Sequence, residues 1–319
     1  MSGGLFLVYV TGPAHCFFSG AFFNGAVITQ LALANFGRWI GLKGQSAFVS
    51  FVARNERQSK APTKQPASAP FPMVSKALKT RVEQLKQKKY RKRLELFLVE
   101  GGKSVLELLT SDLITERVFM TAEYAAKIPP LLASVPFELV SEEELTRLGT
   151  LATNTTALAI AHLPAEPPLL PPTTSLLLAL DQVRDPGNMG TLIRLADWYG
   201  LQGVVCSDTC ADPWAPKTVA ATMGSFARVP VWQRELPQWL DDLPPSVPRY
   251  GAHLKGDNVH RLTLRPAGVL IMGSESHGPR PEVLARLTQR LYIPGAGGAE
   301  SLNVAISAAI LLDNFHRGL

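Results

Sequence analysis

The sequence predicts an α/β protein made of two successive α/β domains, and three observations carry that prediction. Short apolar runs bounded by turn residues alternate with amphipathic runs, the signature of strands exchanging with helices. One stretch, PAEPPLLPPTT (164–174), holds five prolines in eleven residues and interrupts that alternation. Such a density cannot continue a helix or a central strand, so it reads as a linker. The chain is 319 residues long, 46% apolar and 18% charged, enough to bury two cores.

The first 72 residues stand apart. Nothing is charged before Arg38, and LFLVYVTGPAHCFFSGAFFNGAVITQLALANFG has the length of a membrane span. Gly, Pro, Asn and His break it, and no basic segment precedes it as in a signal peptide. RNERQSKAPTKQPASAPFP follows, a polar Pro- and Ala-rich stretch of disordered character. Residues 1–72 are therefore expected to be a dispensable or non-native extension, with a membrane anchor as the alternative. Ordered structure is expected from Met73.

From there, VSKALKTRVEQLKQKKYRKRLE predicts one basic helix leading into the strand LFLVE. A helix over GKSVLELLT, strand ERVFM, a helix over AEYAAKI and strand PFELV come next. Ser141-Glu142-Glu143-Glu144 has the pattern of a capping box opening a helix, and TALAIAHL closes the domain as a strand. Residues 73–163 are thus the first domain and 175–319 the second. The second runs as strand SLLLAL, helix MGTLIRLADWYG, strand GVVCS, a helix near PKTVAATMG, strand RVPV and a helix around ELPQWLDD. Strands YGAHL and GVLIMG, helix PEVLARLTQ, strand LYI and a last apolar helix complete a mostly parallel sheet. Ligands of such sheets gather at the carboxyl ends of the strands.

The charge is local. The chain carries +6 overall, but residues 73–103 hold ten basic and three acidic side chains, while everything after 103 is net negative. Lys88, Lys89, Arg91 and Arg93, with Tyr90 among them for stacking, form the natural contact for an RNA backbone. A solvated helix face is the competing reading. Cys16, Cys206 and Cys210 cannot build a disulfide framework and lack partners at zinc-ligand spacing, so free thiols in a reducing, cytoplasmic setting are expected.

Three strand-to-helix loops carry polar residues that a plain connector does not need: DQVRDPGNMGTLIRLAD (181–197), GSESHGPR (273–280) and IPGAGGAESLN (293–303). Taken singly each has an ordinary explanation. Asn188 beside Gly187 suits a turn, Arg194 suits an interdomain ion pair, and Ser301 suits the cap of the last helix. The first loop has the layout of a dinucleotide site but lacks the first glycine of G-x-G-x-x-G. In GSESHG, Ser274 stands where a nucleophile elbow needs glycine. Neither pattern accounts for all three loops.

RDPGNMGTLIRLADWYG, APKTVAATMGSFARVPV, IMGSESHGPRPEV and IPGAGGAESLNVAISAAILL resemble, in order and spacing, the SpoU (TrmH-like) branch of the SPOUT RNA methyltransferases. The resemblance runs from about Met73 to the C-terminus, and KKYRKRLELFLVEGGKSVLELL resembles the small substrate-binding domain of many members. It implies a C-terminal trefoil-knotted SPOUT domain, a homodimer, and S-adenosylmethionine as methyl donor to a ribose 2′-hydroxyl of ribosomal RNA or tRNA. Carried over by position, Gly273, Ile293 and Leu302 would hold the cofactor. Asn188, Arg194, Glu275, Ser301 and Asn303 would form the reaction centre. A catalytically silent RNA-binding or ribosome-assembly factor of the same fold is the alternative, and a nucleotide-dependent oxidoreductase is a remote third.

Overall fold

A computed structural model describes residues 74–128, 135–274 and 277–317. The leader, with its anchor reading and Cys16, lies outside the described residues. Among those described, no helix is long and apolar enough to cross a membrane.

The predicted basic helix is two helices. α1 (Lys76–Leu85) starts on Ser75, whose hydroxyl accepts from the Leu78 amide. The chain turns at Lys86 and at Gln87, which is extended, before α2 (Lys88–Leu94). The break lets α1 bury Val82 and Leu85 while α2 turns Arg91 inward, which a single straight rod could not do.

β1 (Leu96–Glu100), α3 (Gly102–Leu109), β2 (Thr115–Met120), α4 (Ala122–Ala125), β3 (Phe137–Leu139), α5 (Glu142–Leu148) and β4 (Ala157–His162) follow. Their sheet has the order β1-β4-β2-β3, antiparallel except for the β2–β3 pair. Half of the expected capping box forms. Ser141 Oγ accepts from the Glu144 amide, but the Glu144 carboxylate turns instead to the Val74 amide and Lys79. It thereby fastens Val74 and α1 to α5.

The second sheet contains β5 (Leu176–Leu180), β6 (Val204–Cys206), β7 (Val231–Gln233), β8 (Arg249–Asn258), β9 (Gly268–Met272) and β10 (Gln289–Tyr292). Its order is β10-β8-β9-β5-β6-β7, and every pairing is parallel. β5 and β9 are buried at every position, as a strand covered on both faces must be. α6 (Pro186–Trp198), α7 (Pro216–Thr222), α8 (Leu236–Asp241), α9 (Pro281–Leu284) and α10 (Val304–His316) supply the covering layers. α6 and α7 approach closely because Gly190 has no side chain: a Cβ there would lie 2.5 Å from that of Ala221. The glycine weighed as part of a dinucleotide loop serves helix packing.

The two domains share one apolar cluster. Phe97, Val99 and Val105 of the first pack with Val219 and Phe226 of the second, and the Phe97 ring stands 4.8 Å from that of Trp214. The proline-rich stretch does not hang free. Pro167 O accepts from the Trp232 indole, Leu170 O from Gln202, and Pro172 O from the Gly268 amide.

Candidate active site

All strands of the large sheet run the same way, so their carboxyl ends form one rim. The first loop leaves β5 there. Asp181, fully buried, opens it, and Gln182 takes a left-handed φ of 59° with its amide on Ser207 Oγ. Asp185 caps α6 by accepting from the Asn188 amide at 2.8 Å, and Pro186 fits the first helical turn.

The second loop leaves β9 beside it, since Met272 pairs with Leu180. Gly273 is obligatory: a Cβ would sit 1.9 Å from the Gly278 carbonyl carbon. Ser274 and Gly278 exchange backbone hydrogen bonds, with Gly278 at a φ of 69°. Arg280 then locks the loop to the first. Its amide donates to Asp181 Oδ2 at 2.7 Å and its guanidinium to Oδ1 at 2.9 Å. The sequence reading missed this pair. Its signal was an aspartate directly after an all-apolar strand, where an unpaired charge is not tolerated. Glu275 falls outside the described residues.

The third loop leaves β10, two strand spacings from β9, about 10 Å away. Ile293 is half-buried against the main core, and the segment from Pro294 to Asn303 is exposed. Leu302 is 47% exposed. Asn303, not Ser301, caps α10: its Oδ1 accepts from the Ala305 and Ile306 amides. Ser301 is exposed two residues upstream, too early for the cap the sequence suggested. The same Asn303 donates through Nδ2 to Asn188 Oδ1 at 3.0 Å. Two side-chain amides at two helix N-termini thus join the first loop to the third, 115 residues apart in the chain.

Arg194 is exposed on α6 and makes no ion pair among the described residues, so the interdomain pair weighed for it is not formed. Arg228 has that role. It grips Asp197 of α6 with Nε and Nη2 and also pairs with Glu107 of α3. Burial works against the Asp197 charge, but hydrogen bonds from Arg228 and Ser225 outweigh it and hold the carboxyl below its usual range.

One expected RNA contact is corrected. Arg91 is 3% exposed, with its guanidinium donating to Asp212 Oδ2 at 2.6 Å and to the Leu85 carbonyl at 2.8 Å. It fastens α2 to the second domain and is not offered to solvent. Lys88, Lys89 and Arg93 are exposed, and the Tyr90 ring carries Lys89 Nζ and the Arg93 guanidinium at 4.8 Å each. Tyr90 is therefore already engaged by its neighbours' cations. Cys206 and Cys210 are free and buried, bonded to the Trp232 and Leu180 carbonyls, and burial pushes both thiols up.

Comparison with known proteins agrees with this geometry. The SpoU rRNA Methylase family profile matches residues 175–313, and an MRM3-like substrate binding domain matches 78–159. A 23S rRNA (guanosine(2553)-2′-O)-methyltransferase of Bacillus subtilis is 35% identical over 233 residues, covering 72% of this chain and 92% of its own. The mitochondrial rRNA methyltransferase 3 of Mus musculus is 27% identical over 288 residues, 72% of this chain and 69% of its own. Among solved structures, an AdoMet-bound rRNA methyltransferase from Sinorhizobium meliloti is 28% identical, with a TM-score of 0.68 over 76% of this chain and 95% of that one. A TrmH-family protein from Porphyromonas gingivalis is 34% identical, with a TM-score of 0.66 over 77% of this chain and 100% of that one. Three loops tied at one rim of a parallel sheet, on a chain that matches such a relative over nearly that relative's whole length, make this protein a member of the SpoU rRNA methylase family.

Proposed function

We propose that the protein transfers a methyl group from S-adenosylmethionine to a ribose 2′-hydroxyl of ribosomal RNA or tRNA, acting as a cytoplasmic homodimer. The observation that carries the reading is the Asn303–Asn188 bond, which joins polar side chains of two loops 115 residues apart at the same rim of the sheet. The named relatives favour ribosomal RNA over tRNA.

The rim suits the cofactor on its own terms. Gly273 leaves only main-chain groups at the end of β9, and the partly exposed Arg280, paired with the buried Asp181, fixes that turn. Gly273, Ile293 and Leu302 would hold the donor through backbone groups and apolar contact. When bound, S-adenosylmethionine supplies a methyl already activated on a sulfonium. The protein's remaining tasks are alignment and removal of the hydroxyl proton. Alignment of reacting atoms contributes on the order of 7 kcal/mol or more in favourable cases. Asn188 and Asn303, held by their mutual bond, orient the ribose, and Ser301 and Glu275 share in that task. Arg194 clamps a phosphate or the ribose. A guanidinium stays protonated at neutral pH, so the hydroxyl proton passes to an RNA phosphate or to water.

Exposed apolar side chains at the start of α10, Leu302 at 47% and Ile306 at 54%, support the homodimer. Lys88, Lys89 and Arg93 supply the RNA contact of the first domain. The knot implied by the family belongs to the same proposal.

The test is methyl transfer from labelled S-adenosylmethionine to ribosomal RNA, with ribose methylation mapped in cells with and without the gene. Arg194→Ala is expected to abolish transfer and leave cofactor affinity by calorimetry nearly intact. RNA binding without transfer by the unaltered chain would return the silent RNA-binding reading.

A further inference from the structure

A cleft of about 340 Å³ opens between helices of the two domains. Its walls are Lys103 and Glu107 of α3, Arg194, Asp197 and Trp198 of α6, and Arg228. The walls are fixed. Arg228 ties α3 to α6 through Glu107 and Asp197, and Gly224 lets Glu107 approach to where a Cβ would meet its Cγ at 2.6 Å. Those two carboxylates are thereby neutralised in place. Lys103 and Arg194 are both exposed, and neither pairs with a carboxylate among the described residues. Trp198 is 81% exposed, the most exposed of the large apolar side chains described. An indole left in water at a domain junction, beside two uncommitted cations, is what a stacked base and its phosphate require.

The helix that forms one wall of the cleft also carries Asn188 at its first turn. Thr191, Arg194 and Trp198 are all exposed and, at 100° per residue, share one stripe of α6. That stripe begins one turn from Asn188 and ends at Trp198, which lies about 15 Å from Asn188 along the axis at 1.5 Å per residue.

We infer that this cleft is a nucleotide subsite for the RNA strand beside the methylated residue: Trp198 stacks a flanking base while Lys103 and Arg194 hold its phosphate. The inference rests on the RNA methyltransferase reading and assigns Trp198 and Lys103 as specificity-determining residues that touch no reacting atom.

The test compares the full chain with Trp198→Ala, Trp198→Phe and Lys103→Ala. The probe is a transcript of the 23S rRNA segment around guanosine 2553, the position named for the Bacillus subtilis relative. Total ribosomal RNA is run beside it. Four quantities are read: RNA affinity, KM against kcat, cofactor affinity and oligomeric mass. Trp198→Ala is expected to weaken RNA binding and raise KM by roughly 5- to 150-fold, the range of one lost base stack, with cofactor affinity and mass unchanged. Trp198→Phe retains most of the affinity, and Lys103→Ala lowers the salt dependence of binding by about one counterion. RNA affinity unchanged in Trp198→Ala overturns the inference, as does a fall in oligomeric mass, which makes Trp198 part of a subunit interface. If Trp198→Ala does not fold, 4-thiouridine crosslinking of the transcript to the unaltered chain decides, and absence of a crosslink at Trp198 overturns it. Failure of the unaltered chain to transfer methyl to either RNA counts against the parent reading instead.

Discussion

Removing the carboxylate of Asp212 tests whether Arg91 is a structural or an RNA-binding residue. In the folded protein Arg91 is 3% exposed, and among the described residues its guanidinium bonds Asp212 and the Leu85 carbonyl. Asp212→Ala leaves that charge buried with one neutral acceptor, which costs about 3–5 kcal/mol in comparable buried pairs. At about 2–4 °C per kcal/mol for a domain of this size, Tm should fall by roughly 6–20 °C. The double variant Arg91→Met, Asp212→Ala removes both charges from an apolar setting and should recover most of the loss. Thermal unfolding of the four proteins of that cycle gives the coupling directly. The second arm is RNA affinity against salt. Lys88→Ala, Lys89→Ala and Arg93→Ala should each reduce the slope of log affinity on log salt by about 0.7–0.9 per lost phosphate contact. The double variant should leave the slope unchanged. A loss below about 1 kcal/mol for Asp212→Ala, the range of an exposed pair, would refute the buried-pair argument. So would a shallower salt slope in the double variant.

Asn303→Asp separates the cap from the chemistry. Its carboxylate still accepts from the Ala305 and Ile306 amides and suits a helix N-terminus, so Tm should hold or rise slightly. The Nδ2 donor to Asn188 is lost, and methyl transfer should fall about tenfold or more, the equivalent of about 1.4 kcal/mol. Gly273→Ala places a Cβ 1.9 Å from the Gly278 backbone, so calorimetry should show cofactor binding abolished and unfolding should show a loss of about 1–3 kcal/mol. The Arg228 tie should weaken in acid. The Asp197 carboxyl is held low, so its contribution is complete above the ordinary carboxylate range near pH 4 and disappears as pH falls through the lowered value. Both side chains are partly exposed, which keeps the effect small and salt-sensitive, and Arg228→Ala should remove that part of the acid limb.

What the sequence made legible follows from what local chemistry can encode. The buried strands β5 and β9 were readable because a strand covered on both faces must be apolar throughout. The three loops were readable because glycines and polar residues between apolar runs have few uses, and only a family resemblance joined them into one site. The break at Gln87 was not readable, because the amphipathic pattern runs through it and only packing requires two helices. Arg91 shows the same boundary from the side of charge. In the sequence it is one cation in a basic run, indistinguishable from Lys89 or Arg93. Its role is set by an aspartate 121 residues away. The ion pair weighed for Arg194 falls to Arg228 for that reason too. Both lie on the second domain, and whichever faces Glu107 of the first becomes the tie, leaving the other open to a ligand. A cation's function here is decided by whether folding brings it a carboxylate, and Arg194 and Lys103 are among the described cations left without one.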